Sequence, residues 1–201
     1  MKDSKNKKVA VAMSGGVDSG VAAALLAKES CQCTGFHLHL WSETVKDHHY
    51  ENKCCSTESL EAARKTAHQL GINFHVVDFS KIFKKQVVDY FLKTYAVGLT
   101  PNPCVFCNKF IKFGELLAYV RKLGFDYLAT GHYARITEGV SNAFFAHECA
   151  KFKSSPVKLE KAPKFAQKDY LHLLTGKDKS KDQSYFLYNL TQDQLAHILF
   201  P

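Results

Sequence analysis

The sequence predicts an α/β protein built on a doubly wound parallel sheet, and three observations carry that reading. Short β-branched and apolar runs alternate with segments of about ten to fifteen residues at helical spacing, the pattern of successive strand–helix–strand units. The first of these runs ends in a serine–glycine turn that opens directly into an alanine- and leucine-rich helix. The chain has 201 residues, 46% hydrophobic and 23% charged, which is enough to bury a full core without staples and is unlike a disordered or fibrous composition.

Each element has its own local reason. Residues 8–13 (KVAVAM) read as a buried strand that stops at Ser14-Gly15-Gly16, and residues 18–27 as the helix behind it. Residues 33–40 form a second strand. Leu60, Ala63, Ala67 and Leu70 recur at helical spacing, with Ser56 or Thr57 as N-cap and Gly71 just past the end. Residues 74–79 give a third strand, followed by a helix from about 81 to 95. Thr100-Pro101-Asn102-Pro103 is expected to be a loop, because two prolines flank one residue. A helix from about 108 to 123 closes at Gly124, and residues 126–130 give a fourth strand. Between 138 and 167 the pattern dissolves into Lys, Ser, Pro and Ala, which reads as an insertion. Residues 170–174 return as a strand and 191–199 as a short helix, its Thr191 and Gln194 spaced as a capping box. The expected organisation is a basic tail over 1–8, the α/β unit over 9–137, the insertion over 138–168, and over 169–201 the end of that unit with the start of a second region after about Gly176.

Charge and cysteine usage narrow the function. Lys plus Arg number 27 against 19 Asp plus Glu, a net +8, which suits a polyanionic partner. Nine lysines against Glu160, Asp169 and Asp178 between Lys151 and Lys181 account for +6 of it. That stretch reads either as a contact for RNA phosphates or as a solvated loop. No apolar run approaches a membrane span, since 17–27 is broken by Asp18 and Ser19, and the lysine-rich start is no signal peptide, so the expected location is the cytoplasm. Seven cysteines in such a chain read as thiols, metal ligands or catalytic groups rather than as a disulfide framework.

Two segments carry chemistry. Ala12-Met13-Ser14-Gly15-Gly16-Val17-Asp18-Ser19 places two glycines and two hydroxyls between a strand and a helix N-terminus, a setting for an anion. It has no Gly-Lys-Ser/Thr, so no lysine of its own for a β/γ-phosphate. It resembles the pyrophosphatase (PP-) loop of enzymes that cleave ATP between the α- and β-phosphates. Cys104-Val105-Phe106-Cys107 at a helix start reads as half a zinc site, a redox pair or a structural accident, and a helix N-terminus favours the thiolate. His37, His39, His48 and His49 lie near Trp41. The first two share a strand face and the others a polar loop, without the third ligand type a metal site needs. Cys31, Cys33, Cys54 and Cys55 read as packing residues. His132 follows a strand at the nucleotide edge, where a bond to phosphate or backbone stands beside proton transfer.

Taken in order, SGGVDS, TPNP-C-x-x-C-NK-x-IKFG, ATGHYAR and KDQSYFLY closely resemble the tRNA-specific 2-thiouridylase family, over nearly the whole of 9–201 apart from the insertion. The resemblance implies an adenine nucleotide α-hydrolase (Rossmann-like) fold and ATP-dependent 2-thiolation of the wobble uridine. Residues Ala12, Met13, Ser14, Gly15, Gly16, Val17, Asp18 and Ser19 would then hold ATP, with Leu38 at the adenine and Gly131 closing the site. Asn102, Pro103 and Cys104 would meet the target base, Cys107 would be the catalytic cysteine, and Lys181, Asp182 and Gln183 would touch the tRNA. Magnesium would accompany ATP, with Asp18 a candidate to hold it, and a sulfur donor or persulfide carrier would be the protein partner. Many members have Asp at the position of Cys104. The thiol pair is therefore a C-x-x-C variant, which with a third cysteine could hold an iron–sulfur cluster. The family's second catalytic cysteine lies beyond Pro201, so Cys54, Cys55 and Cys149 are the remaining thiols that could substitute. A PP-loop enzyme with another acceptor, and a non-catalytic ATP- and tRNA-binding subunit or fragment, are the competing readings.

Overall fold

In β1 (Lys8–Ala12), alternate side chains part to opposite faces of the sheet, and the whole architecture follows from that parting. Val9, Val11 and Met13 pack with Ala23 and Leu26 of α1 (Val17–Lys28) and with Ala63 and Ala67 of α2 (Thr57–Gln69). Ala10 packs on the other face with Phe36, Ile111, Phe113, Leu116 and Val120. A strand covered on both faces has no polar side to show, which is why KVAVA carries no alternation. The structure is a computed structural model, and it describes residues 6–40, 42–45, 48–51, 56–140 and 169–201.

The main sheet also contains β2 (Gln32–His39), β5 (Asn73–Asp78), β6 (Tyr127–Ala129) and β9 (Ile198–Leu199). It runs in the order β5-β2-β1-β6-β9, with every adjacent pair parallel. Two antiparallel pairs stand apart from it: β3 (Ser42–Val45) with β4 (His48–Glu51), and β7 (Ala134–Val140) with β8 (Asp169–Thr175). The doubly wound parallel sheet is the one the sequence predicts.

The helices carry their expected caps. Ser56 caps α2 by accepting from the Ser59 N–H, and Gly71 follows with φ +65°. A long helix α3 spans 80–96, with a π-helical turn at Lys84–Val88 inside it. Another, α4, spans 103–122 and is π-helical over Cys107–Leu116. The last helix, α5 (Gln192–Ala196), has the reciprocal Thr191–Gln194 capping box.

Four expectations need correction. Helix α4 begins at Pro103, not near 108, because proline is well suited to the first helical position and Asn102 caps it with its side chain. Residues 191–199 are not one helix: α5 stops at Ala196, and Ile198-Leu199 instead pairs with Leu128 and Ala129 in the sheet. His48 and His49 lie in strand β4 rather than in a loop. Residues 134–140 form β7, paired with β8, where the sequence offers no strand signal of its own. Among the described residues, no helix is long and apolar enough to cross a membrane. Trp41, Cys54, Cys55, Cys149 and the lysine-rich 151–168 fall outside the described residues.

Candidate functional site

The strand order reverses between β1 and β6: β2 and β5 follow on one side of β1, while β9 lies beyond β6 on the other. The loops leaving such a reversal part from each other and open a crevice at the carboxyl ends of the strands. On one side of that crevice the chain leaves β1 through Ser14-Gly15-Gly16. Gly15 has φ +79°, and a Cβ there would overlap the carbonyl group of Ser59, so only glycine lets this loop lie against α2. The Ser14 N–H donates to Ser19 Oγ at 3.2 Å, and that hydroxyl donates to the Gly16 carbonyl at 2.9 Å. The Gly16 N–H reaches Ser14 Oγ at 3.4 Å. Gly16 is the N-cap of α1 and provides no side-chain cap. By helix geometry the N–H groups of Val17, Asp18 and Ser19 therefore open α1 without an intrahelical acceptor, and the helix dipole adds to their pull on an anion.

The opposite wall is built by the loop after β6. A Cβ on Gly131 would lie 2.6 Å from the Asp18 carbonyl carbon and 2.8 Å from its oxygen, so this glycine permits direct backbone contact with the first turn of α1. The Tyr133 hydroxyl donates to Asp18 Oδ1 at 3.0 Å. Gln183 holds Tyr133 from both ends: its N–H donates to the Tyr133 carbonyl at 3.0 Å, and its Oε1 accepts from the Tyr133 N–H at 3.1 Å. A cavity of about 190 Å³ lies between these walls. Ala12, Met13, Ser14, Asp18 and Ser19 line it from the first loop, Thr130, Gly131 and His132 from the second, and Gln183 from the segment after β8. Phe36, Leu38 and Leu40 give it an apolar side, and Lys112 enters from α4. One end thus suits a flat apolar group and the other an anion.

His132 stands at the junction of these surfaces. Burial first, and then the positive charge of Lys112, push its pKa down to about 3, so the ring is a neutral imidazole at ordinary pH. Its Nδ1 is 2.8 Å from Thr130 Oγ1, and its ring is backed by Phe113 and Phe200. This arrangement fits a hydrogen-bonding wall and not an acid. His37, buried on β2, has Nδ1 within 2.8 Å of the Met13 carbonyl and so braces the start of the loop. Burial lowers its pKa, with a smaller push from His39. Among the described residues no group of three or more His, Cys, Asp and Glu is placed to hold a metal.

The other expected site residues are distributed around this cavity. Seven of the nucleotide candidates line it; Gly15, Gly16 and Val17 do not, and instead border a cleft beside Thr66 and Gln69 of α2. Asn102 uses its side chain on the Val105 N–H at 3.3 Å, and Pro103 occupies the first helical position, so both shape the start of α4. Cys104 is exposed and Cys107 half-buried, neither in a disulfide, and neither lines the cavity. Lys181 lies 5.5 Å from the centre of the Tyr133 ring. The Asp182 carboxylate accepts from the Gly176 N–H at 2.8 Å and from Ser184 through both N–H and hydroxyl, which holds its pKa below the usual carboxylate range. Cys31 and Cys33 pack against the α1–α2 core, with the Cys33 thiol raised to about 11 by burial and by Cys31.

Sequence reasoning missed Lys112, Phe36, Leu40, Thr130 and Tyr133 as site residues. The signal for Phe36 and Leu40 was present, because period-two alternation in a strand puts them on the face of Leu38.

The family described as tRNA methyl transferase HUP domain matches residues 7–201. A Roseiflexus castenholzii protein named tRNA-specific 2-thiouridylase MnmA is 48% identical over 194 residues, covering 96% of this chain and 49% of that protein. Proteins of the same name from Clostridium perfringens and Geobacter metallireducens are 41% and 42% identical, with 97% and 100% of this chain covered and 46% and 48% of theirs. The chain spans about half the length of these relatives. A solved structure described as a predicted subunit of tRNA methyltransferase from Methanocaldococcus jannaschii is similar at 18% identity and a TM-score of 0.42, covering 62% of this chain and 52% of that one. With the match running from residue 7 to residue 201, the chain belongs to the tRNA methyl transferase HUP domain family.

Proposed function

We propose that this chain is the ATP-using part of a tRNA-thiolating enzyme, activating the 2-oxygen of the wobble uridine for replacement by sulfur. The observation that carries the reading is the cavity at the β1/β6 reversal. It has an apolar side from Phe36, Leu38 and Leu40 and, at its other end, the opening N–H groups of a twelve-residue helix. An adenine ring fits the first and a phosphate chain the second. The relatives' shared name supplies the substrate class, a tRNA uridine.

In the proposed reaction the uracil O2 attacks the α-phosphorus, the bond to the bridging oxygen breaks, pyrophosphate leaves and the N3 proton is lost. Hydrosulfide, released from a persulfide carrier as the Cys107 thiolate forms a disulfide with the carrier's inner sulfur, then adds at C2, the C2–O bond breaks, AMP departs and N3 regains a proton. No oxidant is needed for that exchange. Ser14, Ser19 and the α1 N–H groups would seat the phosphates, and Gly131 would let the far wall close on them. Cys104 and Cys107, in the first two turns of α4, would present thiols to the base, with Asn102 and Pro103 fixing where those turns begin. Lys181 and Gln183 would meet the RNA from the Tyr133 wall, while Asp182 shapes their loop.

A single carboxylate beside phosphates is a common magnesium arrangement, and Asp18 provides one at the cavity wall. Held there, magnesium would offset the triphosphate charge as pyrophosphate leaves. For an iron–sulfur cluster the pair supplies two thiols; among the described residues no third ligand joins them, and Cys54, Cys55 and Cys149 lie outside the described residues.

The test is anaerobic incubation of the purified chain with ATP, magnesium, sulfide and unmodified tRNA. 2-Thiouridine is read by nucleoside mass spectrometry and pyrophosphate in the same tube. The expected result is tRNA-dependent pyrophosphate release. Pyrophosphate formed equally well without tRNA would favour another acceptor, and release of none would reject the reading.

A further inference from the structure

Lys112 sits between Ile111 and Phe113 on α4, and both neighbours are buried to 1% exposure or less. The core thus fixes the backbone of α4 at this point, and the lysine lines the nucleotide cavity together with Ser14, Asp18 and the 130–132 wall. Among the described residues lining that cavity, Lys112 has the only cationic side chain, since His132 is neutral. Its charge helps lower the pKa of the His132 ring, so it lies near the 130–132 wall. The loop after β1 contributes hydroxyls and amides but no lysine, and a helix N-terminus supplies only about half a positive charge. A bound triphosphate would leave most of its charge unmatched by that loop alone.

We propose that Lys112 is the phosphate-gripping residue of this cavity, holding the phosphate chain of a nucleoside triphosphate against the N-terminus of α1. The proposal rests on the reading of the cavity as an ATP site. It gives α4 a double task. Lys112 follows Cys107 by five residues, about one turn of the π-helical segment, so one element places both the phosphates and the thiol. A uridine lying between them would offer its O2 to the phosphate end and its C2 toward the thiol end.

The experiment is calorimetric binding of ATP with magnesium, and of adenosine, to the wild-type chain and to Lys112→Met, Lys112→Gln and Lys112→Arg. A charge-assisted bond to phosphate predicts a loss of ATP affinity of about tenfold or more in the Met and Gln variants. Adenosine affinity should stay within about twofold, and Arg should keep most of the ATP affinity. Two-dimensional NMR titration of the His132 ring should show its pKa higher in the Met variant, which checks that the lysine charge lies beside the 130–132 wall. Unchanged ATP binding in the Met and Gln variants, or equal loss of ATP and adenosine, overturns the assignment of Lys112. A wild-type chain that binds neither ligand overturns the ATP reading itself, and Lys112 with it. If the Met variant does not fold, the Gln variant carries the comparison.

Discussion

Gly15 meets two constraints at once: a left-handed φ of +79° and a backbone neighbour, the Ser59 carbonyl, where a side chain would stand. Gly15→Ala cannot be relieved by rotating a side chain, because the obstacle is main chain. It should cost roughly 1–3 kcal/mol of stability from the backbone conformation alone, read as a lowered thermal midpoint, with ATP binding weakened as the loop moves off α2. His132 gives a second prediction at this scale. The folded chain keeps its imidazole neutral down to about pH 3, whereas an unfolded chain protonates it near 6.5. The stability from that difference is therefore whole above about pH 6.5 and is lost as pH falls toward 3, at about 1.4 kcal/mol per pH unit inside the window. Urea midpoints between pH 7 and 5 should fall less steeply for His132→Gln than for the wild type. Parallel curves would show that the ring already titrates normally. Neither the Ser59 contact nor the His132 environment is readable from neighbouring residues, because each depends on an element distant in the chain.

At the scale of elements, the local signals were legible and the long-range ones were not. Ser56, Gly71, Thr191 and Gln194 announce their helix ends because capping is settled within four residues. The end of α5 was misread because Ile198 and Leu199 continue a helical apolar spacing, and only the open edge of β6 recruits them as a strand. The restriction that a proline places on the residue before it argues for a loop at Pro103, although the same proline is favoured as the first helical residue. Gln194 does more than cap. Its Oε1 accepts from the Thr191 N–H at 2.9 Å, and its Nε2 donates to the Phe113 carbonyl at 2.7 Å, which ties α5 to α4. Thr191→Ala should cost about 0.5–2 kcal/mol, and Gln194→Ala more, about 1–3 kcal/mol, since it also removes the bond to the Phe113 carbonyl. Leu128 and Thr130 donate to His197 and Leu199, so hydrogen exchange at those two amides should quicken in Gln194→Ala. Equal stability losses in the two variants would mean that the bridge to α4 contributes nothing.

For the whole molecule, the sheet order decides what the sequence could show of the site. A doubly wound order read from alternating elements already brings the loops after β1 and β6 together, so the two loops that flank the cavity were legible as a pair. Tyr133 and Gln183 join them through contacts spanning 50 residues or more, between Tyr133 and Gln183 or Asp18, and no local pattern encodes those. The same layout separates two tasks. Among the described residues the cavity is lined by the sheet, its flanking loops, α4 and the Gln183 segment, whereas Cys104 and Cys107 stand outside its lining. A change at the thiol should therefore leave the nucleotide chemistry running. Cys107→Ser is expected to keep ATP affinity within about twofold and to retain tRNA-dependent pyrophosphate release, while 2-thiouridine falls below detection. Asp18→Asn should instead depress pyrophosphate release itself, because it removes a carboxylate from the cavity wall and alters the tie to Tyr133. Both variants are measured in one assay, pyrophosphate beside nucleoside mass spectrometry, in whichever length of chain makes thiouridine. If Cys107→Ser silences pyrophosphate release as fully as Asp18→Asn, the thiol is needed for activation too, and the division of labour drawn from this geometry is wrong.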